Sequence, residues 1–247
     1  MILRNFGYLL KMPRKVELYD LGLRPYREIW SLQKKLQNEL IVQKKALREG
    51  RSVGDSHYDK LLFVEHPHVY TLGKSGNSAH LLKAVEELSG IDAEYIEIDR
   101  GGDITYHGPG QIVGYPILDL DNHFTDIHKY LRYLEEIIIR TAADFGIKAD
   151  RVEGLTGVWV GDQKICAMGI RCSRWVTMHG FALNVNTDLS YFDHIVPCGI
   201  QNRSVSSLSQ LSGNEIDVND VKSMLIKHFS EVFDVEVLSL TGIPEPG

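Results

Sequence analysis

Three extended runs, Val158-Trp-Val160, Lys164 to Ile170 and Val176 to Val185, follow one another with no helical periodicity between them. Strands joined by such short links pair antiparallel, because parallel neighbours need a crossover of a dozen or more residues. Upstream, Val16 to Leu21, Leu61-Leu-Phe-Val64, Val69 to Leu72, Tyr95 to Ile98 and Ile112 to Leu120 also read as extended, the second and third joined by the turn Glu65-His-Pro-His68. Helical spacing appears in three places. Pro25 opens one segment with Ile29, Leu32, Leu36, Leu40 and Leu47 in register. Ile127 to Phe145 carries a stripe of Ile127, Tyr130, Leu131, Leu134, Ile138 and Ala142 stopped by Gly146, and Val218 to Phe233 reads as a terminal helix. Strand clusters broken by a few helices predict an α+β fold of mixed and antiparallel sheets flanked by helices, rather than a doubly wound sheet.

At 247 residues, 43% hydrophobic and 24% charged, one such unit can close a packed core without disulfides or metals. The net charge of -6 supplies no global basic field, so nucleic acid is not an expected partner. No stretch approaches the ~18 consecutive apolar residues of a membrane span, and no membrane association is expected. Cys166, Cys172 and Cys198 are odd in number and irregularly spaced, which predicts free thiols in a reducing, cytoplasmic setting. The first sixteen residues hold Arg4, Lys11, Arg14 and Lys15 without a serine, so a presequence is not expected, and Met12 is an alternative start. Lys34, Lys35, Lys44, Lys45 and Arg48 read as the solvated face of the first helix, with docking of an acidic protein as the alternative.

Arg100 to Gln111 packs four glycines and a proline into twelve residues directly after a strand. Such a backbone can approach a ligand closely and aim successive N–H groups at it. The segment lacks G-x-x-x-x-G-K-[ST], and no helix follows its glycines, so neither phosphate-loop reading applies. It does gather Arg100, Thr105, His107 and Gln111 into one strand–loop–strand unit.

Lys164 begins a run in which a period of two puts Lys164, Cys166 and Met168 on one face, with a thiol beside the amine. Two candidate nucleophiles follow. Cys166 alternates with apolar residues like a core thiol, as Cys172 does. Cys198 sits in Ile195-Val-Pro-Cys-Gly-Ile200, a turn that presents its side chain. A thiol of pKa about 8.5 needs a neighbouring cation to react near neutrality, and Lys164 is a candidate for that charge. The turn favours Cys198, but composition and periodicity alone leave both thiols standing.

Arg100-Gly-Gly, Thr105-Tyr-His107, Gly110-Gln111 and Tyr115, with Lys164 and the Pro197-Cys-Gly199 turn, resemble the lipoyl(octanoyl) transferase family over roughly Val16 to Leu208. The resemblance implies a fold similar to the biotin/lipoate protein ligase catalytic fold, with residues 16–247 as one catalytic domain after an extension of residues 1–15. It implies an acyltransferase of protein lipoylation, without cofactor or metal. The donor would be octanoyl-acyl carrier protein. The acceptor would be a lysine of the lipoyl domains of 2-oxoacid dehydrogenase complexes, or of the glycine-cleavage carrier protein. Carried over residue by residue, Cys198 takes the octanoyl (or lipoyl) group as a thioester and Lys164 is its acid/base partner. Thioester exchange keeps the acyl group activated, so no ATP is required.

By the same resemblance the substrate cleft comprises Arg100, Gly101, Gly102, Asp103, Ile104, Thr105, Tyr106 and His107, then Ala167, Met168 and Gly169, then Gly180, Phe181 and Ala182. His107 and His179 order the site, Tyr106 walls an apolar slot, and Asn184 and Asn186 cap or bridge strands. Either the Gly169 N–H or an N–H near Cys198 would hold the tetrahedral oxyanion. Two rivals stand beside this reading: an ATP-dependent lipoate or biotin-type ligase, which does not need Cys198, and a non-catalytic carrier-protein binding module, which needs neither Cys198 nor Lys164.

Overall fold

The computed structural model describes residues 14–52, 58–196 and 204–244. In chain order its elements are β1 (Arg14–Leu23), α1 (Tyr26–Arg48), β2 (Asp59–Glu65), β3 (Val69–Leu72), β4 (Glu94–Glu97), β5 (Ile104–His107), β6 (Gln111–Ile117), α2 (Ile127–Asp144), β7 (Val158–Val160), β8 (Gln163–Ser173), β9 (Val176–Asn184), β10 (Ser204–Val205), α3 (Leu208–Ser212), α4 (Val218–Phe233) and β11 (Val235–Leu240). The large sheet runs β10-β8-β9-β6-β2-β1-β11 with β7 also on β8, and a small sheet runs β4-β3-β5. The meander β7-β8-β9 is antiparallel, as its short links demand, while β1 lies parallel to both β2 and β11. The architecture is α+β. No described helix is long and apolar enough to cross a membrane.

Alternation along the large sheet divides two cores. Leu61, Phe63, Ile112, Leu183 and Val185 face α2 and α4, against Leu134, Ile138, Leu225 and Phe229. Leu62, Val64, Val113, Tyr115 and Ala182 face α1, which buries Ile29, Leu36 and Leu40 at 2% exposure or less. Each such side chain contributes about 1.5–3 kcal/mol by leaving water. Leu47, placed on the same stripe by its spacing, is 46% exposed. The Asp126 side chain accepts the Lys129 N–H at the start of α2, and Asp217 does the same for Asn219 at the start of α4. Gly146 at φ 75° ends α2 where an L side chain would be strained.

The turn Glu65 to His68 joins β2 to β3 as read from the sequence, and it carries the chain from the large sheet into the small one. His66 holds this exit, its Nδ1–H donating to Arg24 O at 2.7 Å and its Nε2 accepting the Tyr115 hydroxyl at 2.8 Å. One connection differs from the sequence expectation. The helix α4 is not the last element. Asp234 at φ 54° reverses the chain, and β11 returns as an edge strand parallel to β1. Its half-exposed residues carry little alternation for a sequence reading to detect.

Candidate active site

The site begins with an irregularity in β8. Val158 of β7 stands opposite Cys166, whereas Trp159 stands opposite Lys164, so Ile165 is an extra residue on the β8 side. Such a bulge turns two successive side chains to one face and shifts the alternation that follows. Ile165 and Cys166 both enter the core under α2 and α4 at 0% exposure. Lys164 is thereby turned to the other face, with Ala167, and its ammonium lies 4.6 Å from the centre of the Trp159 ring. Lys164 and Cys166 do not share a face as a strict period of two predicts. Burial raises the pKa of the Cys166 thiol well above its ordinary value, so this cysteine is a core group.

Cys198, with Pro197 and Gly199, lies outside the described residues. On one side of that segment the Val196 N–H donates to His80 O at 2.8 Å. On the other, Ser204 and Val205 pair with Gln163 and Lys164, and the Ser206 N–H donates to Lys164 O at 3.0 Å.

Beyond the bulge, β8 and β9 offer a floor of small residues: Ala167 stands directly opposite Ala182, and Gly169 opposite Gly180. The glycine-rich segment roofs this floor. Gly101 N–H donates to Ile170 O at 2.9 Å, and a Cβ at Gly169 would come 2.8 Å from Gly101 O and 2.9 Å from Arg100 Cδ. Only glycine admits the roof so closely. Arg100, buried, donates from Nη2 to Thr71 O at 2.6 Å and Thr71 Oγ1 at 3.0 Å, and from Nη1 to Gly101 O at 3.0 Å. Asp103 ties the roof to its neighbouring loop, pairing with His80 at 2.5 Å and accepting the N–H groups of Ile104 and Asn77. Since the Ile170 carbonyl turns outward to Gly101, the backbone of Gly169 turns inward to β9. Its N–H is committed to the sheet and does not serve as the oxyanion donor.

Between floor and roof lies a cavity of about 560 Å³. Lys164, His179, Arg100 to Thr105, His107, Ala167 to Gly169 and Gly180 to Ala182 all line it. Tyr106 does not. Alternation along β5 sends Thr105 and His107 toward the cavity and Tyr106 into the core of the small sheet. There it is fully buried, its hydroxyl donating to His68 Nδ1 at 2.7 Å and its ring stacked 5.0 Å from Tyr191. The sequence reading also left out Tyr26, Val113 and Leu131, and gave Tyr115 no role, although all four line the cavity. Tyr115 and Leu131 carried a signal, in the glycine-rich signature and in a helical stripe; nothing local marks Tyr26.

The histidines of the cavity are held neutral. His107 donates from Nδ1 to Gln111 Oε1 at 2.8 Å and stacks on Tyr26 at 5.7 Å; burial and the nearby His66 keep its pKa well below the usual range. Gln111 in turn donates to Asn184 Oδ1 at 2.9 Å, and Asn184 to Ser206 O at 3.0 Å, so Asn184 bridges strands as expected. Asn186 does not bridge strands; it ties the segment after β9 to the one before α4, exchanging bonds with the backbone of Ile216. His179, at φ 60°, donates its own N–H to Gln33 Oε1 and its Nε2–H to Asp99 Oδ1, both at 2.9 Å. Burial, followed by the charges of Arg100, Arg171 and Lys34, lowers its pKa to about 3. The ion-pair geometry with Asp99 is therefore a neutral imidazole bonded to a carboxylate.

The chain matches the family model described as "Lipoyl protein ligase A/B catalytic domain" over residues 25–230. Proteins named octanoyltransferase from Christiangramia forsetii and Flavobacterium johnsoniae are each 55% identical, the alignments covering 92% of this chain and 99% and 100% of theirs. One from Cytophaga hutchinsonii is 53% identical over 92% of this chain and 96% of its own. Among solved structures, lipoate-protein ligase A bound with ATP superposes with a TM-score of 0.69 at 16% identity, covering 94% of this chain and 90% of its own. A bi-partite lipoate protein ligase from Thermoplasma acidophilum gives 0.64 at 17%, covering 94% and 88%. At those identities the structures establish the fold. Fold, family match and close relatives agree: the chain belongs to the lipoyl protein ligase A/B catalytic family and, within it, to the octanoyltransferases.

Proposed function

We propose that this enzyme moves an octanoyl group from acyl carrier protein to a lysine of a lipoyl domain, by way of a thioester on Cys198 with Lys164 handling the proton. The observation that carries the reading is the bulge at Ile165, which withdraws Cys166 into the core and leaves Lys164 at a cavity of ligand size. In the first half, the Cys198 sulfur attacks the donor thioester carbonyl. A new C–S bond forms, the bond to the carrier thiol breaks, and that sulfur leaves with the proton given up by the Cys198 thiol, passed on by Lys164. In the second half, the amine of the acceptor lysine attacks the Cys198 thioester. The amide C–N bond forms, the C–S bond breaks, and the amine proton passes to Lys164 and on to the Cys198 sulfur.

The acceptors proposed are lipoyl domains of 2-oxoacid dehydrogenase complexes and the glycine-cleavage carrier protein, in the cytoplasm, where free thiols such as Cys166 and Cys172 persist. No observation specific to this chain favours ATP-dependent ligation, since the ligase likeness is one of fold. The test is transfer to a lipoyl domain from octanoyl-acyl carrier protein without ATP. The expected result is full transfer by the parent and none by Cys198→Ser. Strict dependence on ATP and free octanoate would contradict the proposal.

A further inference from the structure

The floor of the cavity has a direction. Val113 on β6, Ala182 on β9 and Ala167 on β8 stand in one row across three strands, each directly opposite the next. Walking inward from β8, the first two positions carry only a methyl group and the third carries a branched side chain. Tyr115, on the same face of β6, stands beside Val113, and Tyr26 closes in above, its ring stacked on His107 at 5.7 Å. This end is rigid, because the Tyr115 hydroxyl is held by His66, itself fixed to Arg24 O. One side of the row is shut where Arg100 and Gly101 rest on Gly169, and Lys164 stands at the β8 end. The row is thus the floor of a slot that has Lys164 at its β8 end and is blocked at β6.

We infer that this slot is an acyl-length ruler, in which the chain lies across Ala167 and Ala182 and its terminal methyl meets Val113 and Tyr115. The inference rests on the proposed acyl transfer and adds what that reading leaves open, namely how chain length is read. From β8 to β6 is two interstrand spacings, about 10 Å. An extended chain advances about 1.2 Å per bond, so the seven bonds of an octanoyl group span about 8 Å. With its carbonyl beside Lys164 and the van der Waals radius of its methyl added, the group reaches Val113, and two further methylenes would press on Val113 or Tyr115.

The experiment gives the full-length enzyme hexanoyl, octanoyl, decanoyl and dodecanoyl acyl carrier protein, and follows both acylation of Cys198 and transfer to a lipoyl domain. The parent is expected to use decanoyl donor about 10-fold less efficiently than octanoyl, the discrimination a pocket exerts against an ill-fitting methylene or two. Val113→Ala deepens the slot and should raise the decanoyl-to-octanoyl ratio about 10-fold. Ala182→Val blocks it midway and should make hexanoyl the preferred donor. If Ala182→Val does not fold, the ratio in Val113→Ala decides alone. Variants that still load Cys198 with the parent's length profile would overturn the ruler and leave the transferase reading intact. A parent that loads Cys198 from none of the four donors would overturn both.

Discussion

Lys164 and Cys166, two residues apart on one strand, point to opposite faces of the large sheet because Ile165 is bulged between them. The bulge decides which thiol is chemically relevant. It removes the amine's nearest thiol in the sequence from contention, which is consistent with the proposed role of Cys198. Cys166→Ala should therefore keep octanoyl transfer near the parent rate while costing about 1 kcal/mol of stability through a small packing defect. Steady-state kinetics beside a denaturant melt checks this, and loss of transfer in a folded variant would reinstate Cys166.

Replacing Lys164 by Arg keeps a cation beside Trp159 but supplies a group that does not give up a proton near neutrality. Acylation by octanoyl-carrier protein should continue at a reduced rate, while transfer to the lipoyl domain falls by at least about 10²-fold. Single-turnover measurements of the two half-reactions separate these effects. Equal loss in both would make Lys164 a purely electrostatic partner.

At Gly169 the roof rests on the floor. A methyl group there meets the backbone oxygen of Gly101 at 2.8 Å and Arg100 Cδ at 2.9 Å, and the Arg100 side chain is itself tied down by its bonds to Thr71 and Gly101. Gly169→Ala should lift the roof, lowering kcat/KM about 10²-fold with a loss of no more than about 1–2 kcal/mol in stability. The complementary case is Tyr106→Phe, which breaks the bond to His68 on the far side of β5. It should cost about 1 kcal/mol of stability and leave KM for the octanoyl donor unchanged.

His66 and His179 have pKa values lowered to about 4 and about 3, and that of His107 lies well below 6.5, chiefly through burial. A histidine whose folded pKa lies below its unfolded value stabilises the fold fully above about pH 6.5. That contribution is lost as pH falls toward the folded pKa, because the unfolded chain takes up the proton first. The melting temperature should drop between pH 6.5 and about 4. Asp121, Glu136 and Asp188, whose pKa values are lowered by partners, add loss at the acid end of this range. His179→Gln should flatten the upper part of the decline, and a slope identical to the parent's would show that His179 is not held neutral.

The glycine-rich roof, the lysine and the meander were legible in the sequence because each is written locally, in residue types at short spacing. The two departures at the site have different causes. Alternation was extrapolated through Lys164, Cys166 and Met168, yet a bulge is set by the partner strand β7 and leaves no mark in β8 itself. Tyr106 sits inside the signature but on the face of β5 opposite its neighbours Thr105 and His107, so nearness in sequence was not nearness to the cavity. Tyr26 reaches the cavity from the first turn of α1, through a contact about eighty residues distant from His107 in the chain, which one sequence cannot reveal. The return of β11 beside β1 is likewise a long-range pairing, made by half-exposed residues with little hydrophobic pattern.

The central claim is that the octanoyl group passes through Cys198 under the control of Lys164. The most direct measurement is the intact mass of the enzyme after brief exposure to octanoyl-acyl carrier protein with no acceptor, followed by peptide mapping. The account predicts one octanoyl group, on Cys198, released by hydroxylamine or by an added lipoyl domain and absent from Cys198→Ser. An octanoyl group on Cys166 or Cys172, or rapid transfer by Cys198→Ser with no adduct formed, would contradict it.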